Sequence, residues 1–229
     1  MLFVIFDIIV VAALEVGVSS SSTRVQLSSP TVGFGFVSKM WTDGNFVFVL
    51  NVILVALLYL MLLMLLNRFW ASSIVMLAAG IIVAVIEHFK IEIRYEAILP
   101  ADLGFLGSNT GNMLTFAPAG AHVTILIALA VFAVLLVPVL ALRYADGRKG
   151  RMIQTDDRRL NLTSRLILLL LPILVFALYC MHVSTTNSLA NKFSRALGDT
   201  PSMWDSVYDA QRNGPLVAFT RQLTPKIMD

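Results

Sequence analysis

The sequence is short of several things, and each shortage narrows what it can be. A single cysteine, Cys180, lies inside an apolar run, so an intrachain disulfide is excluded and a metal site would have to form without paired thiolates. Charged residues make up 14% of the 229 positions, against about 25% in an average soluble domain. Lys and Arg are missing from the first 23 residues, which removes the basic leader of a secretory signal peptide and favours a retained first helix over a cleaved one. Glycine-rich phosphate loops, nucleophile elbows, Walker patterns and paired-carboxylate sites do not occur, so no motif assigns a catalytic residue. His88, His122 and His182 are scattered without the spacing of metal ligands.

In their place stand apolar residues, 58% of the chain at a mean hydropathy of +0.82, the composition of an integral membrane protein. A spanning helix needs about 20 apolar residues to cross roughly 30 Å of hydrocarbon. Five segments approach this: 1–18, 46–66, 69–86, 123–142 and 166–183. The predicted fold is therefore all-α, a polytopic membrane protein of five transmembrane helices. The first segment carries Asp7 and Glu15, and the fourth and fifth contain Pro138 and Pro172. Asn67 and Arg68 leave room only for a tight hairpin between the second and third. Asn51, the one amide of the second, is expected to hydrogen-bond to another helix.

Orientation follows from the loops, because Lys and Arg in short loops favour the cytoplasm. Residues 143–165 hold seven basic side chains, whereas 87–120 hold only Lys90 and Arg94. The basic loop is thus predicted cytoplasmic, with the N-terminus, and 184–229 extracellular. The same loop accounts for the net charge of +3, so the charge marks topology and no nucleic-acid partner is expected. Residues 184–229 form a polar juxtamembrane linker with short helical patterns over 189–197 and 202–211, and Asn213-Gly214 then precedes Pro215, which is placed to open another helix.

The most unusual stretch is 88–103, "HFKIEIRYEAILPADL", which gathers charge at the end of an apolar run. Its period-two alternation would suit a strand, but a helix leaving the membrane can simply continue. On that helix Lys90 and Arg94 fall one turn apart on one face, and Glu92 and Glu96 on another. Pro100 stops the run, and Asp102 is positioned to cap a short helix or pair with Arg94. Two readings stay open: Lys90 and Arg94 as a clamp for a lipid phosphate, with Glu96 and Asp102 beside them, or a solvated cap whose charges neutralise one another.

Phe89-Lys90, Arg94 and "EAILPADL" at 96–103 resemble the "K…R.EPxLPSDL" signature that follows the third membrane helix of the lipoteichoic acid synthase family. "WDSVYDAQRNGPLVAFTRQL" at 204–223 is similar to that family's juxtamembrane stretch. Ala97 and Ala101 stand where the family has proline and serine, while Lys90, Arg94, Glu96, Pro100 and Asp102 keep register. Members of this family resemble sulfatases and alkaline phosphatases in their catalytic half. Outside the bacterial cell they transfer glycerol phosphate from phosphatidylglycerol to a polymer or glycan, using a threonine nucleophile and a divalent metal, usually manganese. The 46 residues after Val183 are too few for such a domain. The resemblance therefore implies a membrane domain, 1–183, and a linker, 184–229, without a cofactor of their own. This part would be inactive alone, anchoring and presenting phosphatidylglycerol to an extracellular catalytic domain. Rival expectations are a small transporter or channel subunit, suggested by Pro138 and Pro172, and a noncatalytic scaffold for a separate catalytic partner.

Overall fold

The computed structural model describes residues 1–18, 44–102, 120–145, 153, 158–202 and 204–223. Leu103, most of the basic loop and residues 224–229 lie outside them. The described residues form eight helices and no strand: α1 (Leu2–Val18), α2 (Val47–Leu66), α3 (Phe69–Arg94), α4 (Ala121–Ala145), α5 (Arg158–His182), α6 (Leu189–Ala196), α7 (Ser206–Asn213) and α8 (Pro215–Gln222). Four of these, α2 to α5, are long and apolar enough to cross a membrane, where five had been expected. The exception is α1, whose 17 residues rise only about 25 Å and include two carboxylates.

Despite its length, α1 lies at the centre. Phe6, Val10 and Val11 are buried among Val55, Tyr59 and Leu63 of α2 and Met76 and Leu77 of α3. Small residues let the backbones approach, as is usual where lipid-like surfaces offer helices no hydrophobic reason to associate. A Cβ on Gly17 would stand 2.6 Å from the Ala84 carbonyl oxygen, and one on Gly80 would stand 2.8 Å from a Val10 methyl. Phe3 stacks on Tyr59 with ring centres 4.6 Å apart, and the Tyr59 hydroxyl hydrogen-bonds to Ser73. Against this trio α4 packs on α3 and α5 on α2, and both keep broad apolar faces exposed, as lipid-facing helices do.

Boundaries moved where polar residues extend a helix beyond its apolar core. The third helix runs eight residues past 86 to Arg94, so the alternating charges of 89–94 are helical, and Tyr95 ends it in the left-handed conformation. The fifth begins at Arg158, well before 166, because "RRLNLTSR" continues the helix on the polar side. Asn67 closes α2 with φ of 52° and its N–H on Leu63 O, which makes the two-residue hairpin possible.

The two ends of the bundle differ. At one, Asn67 exchanges two hydrogen bonds with the Ile153 backbone at 2.9 and 3.0 Å, and Arg143 sits 4.8 Å from the Trp70 ring. Arg165 of α5 donates to the Met64 carbonyl at 2.8 and 3.0 Å and also to Leu65 O, covering carbonyls that end α2 without intrahelical partners. At the other end α6, α7 and α8 form a cap over α1, α2, α3 and α5. The hairpin and the basic flanks thus share one end, and residues 95–102, 184–202 and 204–223 the opposite one.

Candidate functional site

Lys90 leaves the last turns of α3 and is largely covered, with 11% of its side chain exposed. Its Nζ donates to Asp102 Oδ2 at 2.6 Å and to the Ala97 carbonyl at 2.7 Å, and lies 3.9 Å from Glu96. Asp102 Oδ2 also accepts from the Leu99 N–H at 2.6 Å, while the Asp102 N–H returns to Leu99 O at 3.0 Å. Glu87, buried one turn before Lys90, accepts from the Ile98 N–H at 3.0 Å. Once the left-handed Tyr95 has turned the chain, residues 96–102 fold back onto their own helix, held by a carboxylate on each side of an ammonium.

Three of the four candidate residues, Lys90, Glu96 and Asp102, therefore come together. Arg94 does not join them: its side chain is exposed. Asp102, read from the sequence as a helix cap or a partner for Arg94, pairs with Lys90, because the fold-back brings it to the level of Lys90, one turn below Arg94. Lys90 is thus engaged in an internal knot, and Arg94 stays at the surface. His88 approaches Glu92 at 3.4 Å. Among the described residues no group of three His, Cys, Asp or Glu side chains is placed to hold a metal ion.

The fold-back is fastened to the cap. Ala97 donates its N–H to Ser206 Oγ at 3.2 Å, a donor that proline at this position would lack. Val18, Ile91 and Ala97 are buried together with Val207, Ala210 and Ala218. Gln211 Nε2 donates to the Val18 carbonyl at the end of α1. The cap has a polar core: Arg221 reaches Asp199 at 3.0 Å and Asp209 at 2.8 Å, and Asp209 accepts further bonds from Asn213 Nδ2 and the Ser202 N–H, both at 2.9 Å. Asp199 accepts from Ser194, itself 3.4 Å from the Tyr179 hydroxyl of α5.

Asn51 does bond to another helix, although that helix belongs to the cap. Its Nδ2 donates to Asn213 O at 2.9 Å and to Val47 O at 3.0 Å. Gly214, with φ of 85°, lies so close to the Asn51 amide that a Cβ would collide with it. The sequence offered signals for the Asn-Gly-Pro turn and, through Pro100, for the end of the charged run, but not for the fold-back. Nothing in the spacing of Glu87, Asp199, Asp209 or Arg221 distinguishes them from ordinary solvated charges. No protein family, curated protein or solved structure matches this chain.

Proposed function

We propose that this chain is the membrane-embedded part of a lipoteichoic acid synthase-like phosphoglycerol transferase in a bacterial cell membrane. In this reading α1 is the fifth crossing, the N-terminus and basic loop are cytoplasmic, and 184–229 is extracellular. The chain anchors, and presents phosphatidylglycerol to, an extracellular manganese-dependent catalytic domain lying outside these 229 residues. One observation carries the reading. The two stretches that resemble the family, 89–103 and 204–223, are more than 100 residues apart yet pack together through Ala97, Ser206, Val207 and Ala218. Within that assembly Arg94 is the exposed cation available to a headgroup.

The test is phosphatidylglycerol retention, read by native mass spectrometry, for wild type, Arg94→Ala, Arg94→Lys and, as control, Lys149→Ala. A charge-assisted bond to phosphate corresponds to about a tenfold or larger loss of binding in Arg94→Ala. Arg94→Lys loses less unless the contact is bidentate. Equal retention by all four removes the headgroup role. A second reading, a small transporter subunit, draws support from the burial of Asp7, Glu15 and Glu87, since carboxylates at membrane depth commonly line ion paths. Proton flux into proteoliposomes that Glu87→Gln abolishes would favour it.

A further inference from the structure

We infer that α6 is an interfacial foot, lying on the bilayer surface where α5 leaves the membrane and selecting anionic lipid. Its place is fixed from inside. Six residues separate His182 from Leu189, and Asn191 Nδ2 donates to Val183 O at 2.8 Å. Ser188 Oγ caps the helix by accepting from the Asn191 N–H at 3.0 Å, and Ser194 turns inward toward Tyr179 and Asp199. The opposite side is bare. Leu189 is 88% exposed and Phe193 48%, and with Ala196 they recur at the spacing of one helix face.

A face of this kind needs a partner, and its surroundings choose lipid. It follows directly on the last turns of α5, where Leu178 and Met181 are also uncovered, as expected of a helix still in contact with lipid. Lys192 and Arg195, both exposed, run along the helix beside the apolar residues. Residues 183–198 contain no acidic side chain at all. Apolar residues on one side and cations next to them is the arrangement by which a helix lies in the headgroup plane, the stem of each cation spanning toward phosphate. Anionic headgroups are the complement, each cation adding attraction that salt screens. This inference rests on the exit of α5 and is independent of the transferase reading.

The test uses the full chain in lipid nanodiscs, labelled with an environment-sensitive fluorophore at Leu189→Cys, Phe193→Cys or, as control, the exposed Gln222→Cys, in a Cys180→Ala background. Discs contain phosphatidylcholine with or without phosphatidylglycerol, plus a lipid carrying a nitroxide near the headgroup. Labels at 189 and 193 are expected to emit to the blue of the 222 label and to be quenched. Quenching should rise with anionic lipid and lose that rise in Lys192→Gln/Arg195→Gln. If Cys180→Ala fails to fold, the buried Cys180 is kept and its background labelling subtracted. Water-like, unquenched emission at 189 and 193 overturns the foot. Quenching indifferent to anionic lipid overturns the selection.

Discussion

Arg221 holds two carboxylates, Asp199 and Asp209, at a site where its own side chain is 8% exposed and theirs 3% and 5%. Three charges out of water leave a net negative one, which the Ser194, Asn213 and Ser202 donors help to satisfy. Removing the guanidinium alone strands both carboxylates, so Arg221→Ala should cost about 3–5 kcal/mol, read as a lowered thermal midpoint in detergent. Adding Asp199→Asn and Asp209→Asn should recover much of it. Failure to recover would mean that packing of the arginine stem, and not its charge, matters. None of this was legible beforehand. Asp199 and Arg221 sit in a polar stretch where a solvated charge is the ordinary expectation, and burial there depends on α6 to α8 closing over the bundle. Lys90 was half legible: Pro100 announced the end of the run and Asp102 a cap or a partner for a cation, but whether that cation is Lys90 or Arg94 depends on where Tyr95 reverses the chain.

Among elements, α1 against α3 gives a pair of contrasting expectations. A methyl at Gly80 meets only a Val10 side chain, whereas one at Gly17 meets Ala84 backbone. Gly80→Ala should therefore be rescued by Val10→Ala, and Gly17→Ala should not be rescued by Ala84→Gly. Thermal unfolding of the four variants checks this, each clash costing about 1–3 kcal/mol where it is not relieved. Helix existence was readable from apolar length alone for α2, α3, α4 and α5. The continuation of α3 over Phe89 to Arg94 was read in advance as a helix leaving the membrane, whereas that of α5 over Arg158 to Arg165 was not, because it rests on a hydrogen-bond ladder that hydropathy does not register. In α1 length alone sets it apart, since its 17 residues rise about 25 Å against roughly 30 Å of hydrocarbon, while its composition is as apolar as that of the longer helices.

For the whole molecule, the grouping of ends yields a topology test. Thr186 lies in the turn below the cap and Tyr144 at the basic end, and both are exposed. An impermeant thiol reagent on intact cells should label Thr186→Cys and spare Tyr144→Cys until the membrane is opened. The opposite pattern would invert every sidedness assignment while leaving the fold intact. The basic asymmetry was plain in the sequence. The short helices that follow α5 were read as well, but their closure over the bundle was not, because the contacts that seat them, such as Asn51 to Asn213 and Ala97 beside Val207, have no periodicity to announce them.

Arg165 has a bearing on how the molecule is made. The carbonyls of Met64 and Leu65 that it covers belong to a helix synthesised about 100 residues earlier. Asn213 reaches Asn51 across a separation of 162 residues. Until those late residues leave the ribosome, α2 waits in the membrane without the Arg165 cover at one end and the Asn213 contact at the other. A chain halted before residue 165 should therefore expose α2 to quality-control proteolysis, and one that reaches 213 is closed at both ends.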